Sequence, residues 1–512
     1  MRGFLTGLVL LLFSLALQAD ERAVDRSGFG EGPLWTALTD FEQRTLEAFP
    51  QAQQGDAEAL FALYLLASGE VRTEAGFRQH REQFTARLEE IDSRVSGVTD
   101  ERELGRELLD AMHAVYLSGR IAGGDGLLAS YDADQSQLSR VLTDGIYNCI
   151  SSSLLYISLA QRYGLSTRGA LLPSHAFVEL LLSDGTMVEV ETTAEDGFAV
   201  ERDASQYGEA DQEWFEERDL EVPSFQDYLE RTIVSSAELG LENMWNQHAS
   251  PERMSYADRM RLAEIHGHLR PQDHQAQKNR LIFYTREFEF LHEQQDEAAL
   301  LALFEVVGPY LDNMDRLSDT REEAAQDSEF RNLLAWNQAA RANVLMSGDR
   351  PAEGLQIARG QLDTLDEHVT EADRVRNNLY LALDAYAQRR ASQRAFSRGR
   401  EAFDGLEAEC AGHPACEGAL TRFYAAWAQN YWSMSEWSGV VRVYSEYLSL
   451  ALDSLEESVL RGNLAGAYIN WANQDWFDED REQAMAHLQR CVEQLPEAQV
   501  CASRLQEMQR VY

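Results

Sequence analysis

The chain has 512 residues, 44% of them hydrophobic, an ordinary globular balance with enough length for two or three domains. Asp and Glu number 86 against 45 Lys and Arg, a formal net charge of −41. That acidic excess excludes nucleic acid and anionic membrane surfaces as partners of the molecule as a whole.

The first element in chain order is a targeting signal. Met1-Arg2 opens with positive charge, Phe4 to Leu17 is almost wholly apolar, and Leu17-Gln18-Ala19 offers a small residue for cleavage before Asp20. The run is short for a membrane span, so residues 1–19 read as a cleaved secretory signal rather than a retained anchor. No cysteine follows it, which argues against a lipidated start, and no later stretch reaches the roughly 18 uninterrupted apolar residues of a membrane helix. The expected location is periplasmic or secreted, with no membrane span after signal cleavage.

Residues 20–125 read as a helical region. Gly55 to Tyr64 and Leu104 to Tyr116 carry apolar residues at helical spacing, and Gly123-Gly124-Asp125-Gly126 is a connector. A different region follows, over 126–235. Leu154 to Ala160 forms the buried stripe of a helix that stops near Gly164, with Cys149 at its start and Asn148 as its cap. Three strand-like runs come next, Thr167–Leu172, Ala176–Leu182 and Thr186–Thr192, and then an acidic, loop-like stretch over 201–225.

Parity fixes how the last two strands pair. Val178, Leu180, Val188 and Val190 must share the buried face, because side chains alternate along a strand. That needs an odd loop, and Ser183-Asp184-Gly185, with Gly185 in the left-handed conformation, supplies it. The same register puts His175 and Glu191 on the opposite face as near or diagonal neighbours. Cysteine at a helix start, histidine on a strand and carboxylate on the next are the parts of a thiol nucleophile, its base and the base's orienting group. The positive end of the helix dipole favours the attacking thiolate, and the Cys149 N–H is a natural oxyanion donor. Glu189 and Glu179 lie on the same face, so the choice of Glu191 is the softest of the three. Singly, such a cysteine is more often a small buried hydrophobe and such a histidine a structural one; order, face and an unpaired thiol together favour chemistry.

The region from 236 to 512 reads as helical pairs. Tyr386, Tyr431 and Trp471 mark similar positions at intervals of 45 and 40 residues, with Gly348-Asp349 and the turn near Asp475 lying between helices of a pair. This describes a degenerate tetratricopeptide-type repeat array, with an irregular bundle as the alternative. Of the five cysteines, Cys410 with Cys416 and Cys491 with Cys501 pair by proximity, one of three possible pairings, leaving Cys149 as the free thiol. The competing reading makes Cys410, His413 and Cys416 metal ligands, but no fourth ligand sits at a recognisable spacing. No cofactor or metal is called for.

Around these residues the chain resembles the transglutaminase-like superfamily of papain-fold thiol enzymes, and more narrowly its bacterial exported members fused to tetratricopeptide-like repeats. The resemblance covers about 70 residues: Tyr131 to Leu138, Val141 to Cys149, Leu155-Tyr156, Ala160, Gly164-Leu165, Pro173, His175, Phe177-Val178 and Glu191-Thr192-Thr193. It implies an α+β fold: a helical N-terminal region, a small transglutaminase-like core and a C-terminal helical array. It also implies a triad of Cys149, His175 and Glu191, with Glu where many members carry Asp. The expected function is an exported peptidase or amidase acting through an acyl-enzyme on a protein or peptide substrate, with a possible protein partner on the repeats. The alternatives are crosslinking acyl transfer to an amine, or a non-catalytic binding scaffold. An animal-type calcium dependence is not implied, because no calcium-loop pattern lies near the site.

Overall fold

Alternating aliphatics between Ser166 and Val190 become an antiparallel sheet in the computed structural model of the chain, which describes residues 38–117, 133–204, 222–249, 254–365, 369–406, 410, 412–450 and 457–511. The expected signal segment, the Gly123 to Gly126 connector and most of the acidic stretch lie outside these residues. The strands are β1 (Ser166–Leu172), β2 (His175–Leu181), β3 (Met187–Val190) and β4 (Thr232–Ser235), in the order β3-β2-β1-β4. β4 had no counterpart in the sequence reading, because four residues carry too little alternation to register.

Val178 faces Val190 and Leu180 faces Val188, and all four lie in the core. Ser183-Asp184-Gly185 closes the hairpin, with the Leu182 N–H donating to the Thr186 carbonyl at 2.9 Å and Gly185 at φ +84°. The parity argument thus holds in register and in loop.

The helix Cys149–Arg162 runs through the middle of this core, against β1 and β2 on one side and against the helices Ala57–Ala67, Glu101–Met112, Leu138–Asp144 and Ser236–Ala249. The sequence implied one buried stripe. The structure buries Ile150 to Ala160 continuously, since the helix is sandwiched between the sheet and other helices. Its serines enter that interior because each hydroxyl bonds back to the chain: Ser152 to the Asn148 carbonyl at 2.8 Å, Ser153 to that of Cys149 at 2.6 Å and Ser158 to that of Leu154 at 2.8 Å.

The described residues divide into one unit through Phe290 and another from Leu291 onward. In the second, long helices begin at Ser328, Ala372, Pro414 and Glu457, each followed by a shorter helical segment. The turns inside three of these pairs repeat one another. Arg394, Ser435 and Glu479 are left-handed, and the next N–H reaches back to the carbonyls of Arg390, Tyr431 and Asp475. Cys410 is bonded to Cys416 and Cys491 to Cys501, so the first two sulfurs are not available as thiolate ligands. The fold is α+β, a largely helical chain with one small antiparallel sheet. Among the described residues no helix is long and apolar enough to cross a membrane.

Candidate active site

The start of the Cys149 helix is built by Asn148. Its Oδ1 accepts the N–H groups of Ile150 and Ser151 at 3.1 Å each, and Ser151 Oγ accepts the Asn148 N–H at 3.0 Å in return. This reciprocal cap takes up first-turn donors and fixes the entry of the chain. Asn148 Nδ2 is itself tied to Ser136 Oγ at 2.6 Å. Cys149 therefore sits at a rigid helix start, half-buried, as the free thiol among the described cysteines.

His175 opens β2, directly after the two-residue turn Pro173-Ser174. Proline supplies the first turn position and Ser174 takes the second at φ +55°, a left-handed conformation that places His175 opposite Leu172. Glu191 follows β3. There the backbone folds back on itself: the Glu191 N–H donates to the Gly197 carbonyl at 2.7 Å, and the Gly197 N–H to the Ala194 carbonyl at 3.1 Å. A Cβ at 197 would lie 2.0 Å from the Glu191 carbonyl oxygen, so only glycine fits.

These elements bring the three side chains together. His175 Nε2 lies 2.8 Å from Glu191 Oε2, and Cys149 lies close enough to the imidazole to favour its charged form. Burial opposes the imidazolium, but the Glu191 charge, the nearby Cys149 and the bond to Glu191 outweigh it and raise His175 to about 10. Burial likewise opposes the Glu191 carboxylate; the charge of His175 and bonds from His175, Thr193 and Arg202 outweigh it and pull Glu191 down to about 2. Both directions favour imidazolium beside carboxylate.

The other two carboxylates on this face are held by further side chains, with Arg202 shared between Glu189 and Glu191. Glu179 stands opposite Glu189 across β2 and β3, a like-charge pair that would repel if left alone. Arg231 Nη2 bridges them at 2.9 and 3.2 Å, Arg168 pairs with Glu179, and Tyr228 donates to Glu189 at 2.6 Å. Glu191 is the carboxylate that reaches His175, as the register argument expected.

Three supports were not visible in the sequence. Thr192 shares hydrogen bonds with Ser152 at 2.8 Å and Ser153 at 3.0 Å, stapling the strand end to the cysteine helix. Its carbonyl accepts from His113 Nε2 at 3.0 Å, which fixes that buried ring's tautomer. Arg202 donates to Glu191 Oε2 at 2.7 Å. The available signal for Arg202 was compositional: it is the one Lys or Arg between Arg168 and Arg218. A cavity of about 470 Å³ in the second unit, lined by residues such as Asp315, Arg331 and Arg341, includes none of these side chains.

No curated protein matches the chain. Among solved structures, it is similar to menin, in the crystal structure described as revealing the binding site for Mixed Lineage Leukemia (MLL) protein. The identity is 13%, the match covers 67% of this chain and 83% of that one, and the TM-score is 0.32. Residues 82–207, which include Cys149, His175, Glu191 and Arg202, match the family model of the transglutaminase-like superfamily.

Proposed function

We propose that this chain is an exported thiol enzyme that cleaves an amide bond through Cys149, His175 and Glu191 by way of an acyl-enzyme. The observation that carries the reading is the 2.8 Å hydrogen bond between His175 and Glu191 with Cys149 beside the same imidazole, contributed by a helix start and two strand ends. In the first step the Cys149 sulfur, its proton held by His175, attacks the carbonyl carbon. The tetrahedral oxygen faces the Cys149 N–H, because Asn148 is occupied with the next two N–H groups. The C–N bond breaks as His175 passes its proton to the leaving amine. Water, deprotonated by His175, then releases the carboxylic acid and restores the thiol. Throughout, Glu191 keeps the imidazole oriented and compensates its charge.

Access supports water as the acceptor, since Cys149 is only half-buried and the His175 side chain is 23% exposed. Export is supported by the apolar start of the sequence and by the two disulfides. The paired helices of the second unit read as a tetratricopeptide-like surface for a protein partner or substrate.

The test is alkylation of Cys149 by iodoacetamide as a function of pH, in the native protein and in His175→Ala. Labelling that stays fast well below pH 8 and slows by about tenfold or more in the variant is expected. Slow labelling indifferent to His175 would sink the reading. Peptide turnover in ¹⁸O-water with a primary amine present then separates the acceptors: ¹⁸O in the acid product marks hydrolysis, and an amine adduct marks transfer.

A further inference from the structure

We infer that Arg202 is a positioning residue that limits how tightly Glu191 holds the proton of His175. Its purpose rests on the thiol-enzyme reading, but its test does not.

Glu191 Oε2 accepts from His175 Nε2 at 2.8 Å and also from Arg202 Nη2 at 2.7 Å, so a single oxygen serves the base and a permanent cation. Neighbouring side chains hold Arg202 in place. Its Nε lies 3.4 Å from Glu189 Oε2, and its guanidinium carbon sits 4.6 Å over the Phe177 ring and 5.8 Å from that of Tyr228. The side chain is 13% exposed, so water screens the contact weakly.

An oxygen shared between two donors accepts less strongly from each, and a cation near an imidazolium opposes its charge. Arg202 therefore acts against the Glu191–His175 attraction. Without it, a buried carboxylate alone would hold the imidazolium, which would give up its proton to a leaving amine less readily. The orientation of Glu191 does not depend on Arg202 alone, because Thr193 Oγ1 donates to the other oxygen at 2.7 Å. Removing the guanidinium should therefore strengthen the couple rather than release the carboxylate.

The other charged and titratable groups near His175 have partners besides Arg202, which also lies 3.4 Å from Glu189. Cys149 comes from the helix, Glu179 from the histidine's own strand, Glu189 from β3, Arg168 from β1, and Tyr228 and Arg231 from the segment before β4. Arg168 and Arg231 neutralise Glu179, while Arg231 and Tyr228 hold Glu189. Loss of Arg202 would act on His175 through Glu191, while Glu189 would keep Arg231 and Tyr228.

The experiment is an NMR titration of ¹³C-histidine in the full chain, with the His175 signal assigned by its loss in His175→Asn. The midpoint is compared among the native protein, Arg202→Met, Arg202→Lys and Glu191→Gln. Arg202→Met should raise the His175 midpoint by roughly half a pH unit or more. Arg202→Lys, which keeps the charge, should stay nearer the native value, and Glu191→Gln should lower it. An unchanged or lower midpoint in Arg202→Met overturns the inference. If Arg202→Met does not fold, Arg202→Gln keeps a donor without the charge and must still shift the midpoint upward. Cys149 alkylation in the same samples reports separately on the thiol reading. An inert thiol beside an Arg202-dependent midpoint would defeat that reading and leave this one standing.

Discussion

Glu191 receives three side-chain donors on two oxygens, and each does something different: His175 is charged by it, Thr193 orients it and Arg202 moderates it. Replacing the carboxylate by an amide tests the first of these. Glu191→Gln keeps the size and an acceptor oxygen but removes the charge that raises His175, so the imidazole should fall back toward its ordinary value. Cys149 alkylation near neutral pH should then slow by about tenfold or more. Stability follows with a definite sign. His175 is raised on folding, so its contribution is complete below the ordinary imidazole value and is lost as pH rises through about 10. Glu191 is depressed, so its contribution is present above the ordinary carboxylate value and is lost as pH falls toward about 2. Urea denaturation should show Glu191→Gln less stable than the native protein between those limits, with the gap closing at both ends. A constant gap across pH would mean that the residue acts only through packing. At this scale His175 and Glu191 were legible because strand parity forces them to one face. Arg202 was not, since a loop residue that folds back from outside the strands leaves no periodic trace.

At the scale of elements, the hairpin from His175 to Val190 was readable in full, because four aliphatics and a glycine over-determine its register. The short β4 and the fold-back after Glu191 were not. The first has too few residues to alternate. The second depends on Gly197, whose need for glycine becomes visible only once the carbonyl of Glu191 lies against it. That contact makes the loop a support of the site. Gly197→Ala must push the turn away from the strand end, at a cost of roughly 1–3 kcal/mol. Because the Glu191 N–H is anchored on the Gly197 carbonyl, the carboxylate should shift from His175 as well. Thermal denaturation and the pH dependence of Cys149 alkylation should therefore change together. A variant that loses stability but retains the native alkylation profile would show that the turn supports the fold and not the site.

For the whole molecule, charge and hydrophobic fraction constrained the partners but left the architecture open. The recurrent aromatics of the second unit are not equivalent positions, since Tyr386 and Trp471 stand eight residues before the left-handed residue of their turns and Tyr431 only four, and the regularity lies in the turns. Arg394, Ser435 and Glu479 share a left-handed cap although none is glycine, so no residue type announced it. The cysteines were more informative. Both bonds lie in the second unit, closing sequence separations of 6 and 10, while the free thiol lies in the first. Each crosslink restricts the unfolded chain and is worth roughly 2–3 kcal/mol for loops of this size. The two units have separate hydrophobic cores: one gathers around the Cys149 helix and the other runs from Ala335 to Cys501. Reduction should consequently lower the stability of the second unit without disarming the thiol site. Hydrogen exchange after treatment with a phosphine reductant should show faster opening in helices Pro414–Ser433, Arg481–Gln494 and Gln499–Val511, with the cysteine helix Cys149–Arg162 unchanged. The rate of Cys149 alkylation should be the same before and after reduction. Acceleration confined to the cysteine helix, or loss of alkylation on reduction, would show that the disulfides serve the site itself, and the separation of cores would then fail as an account of how stability is distributed.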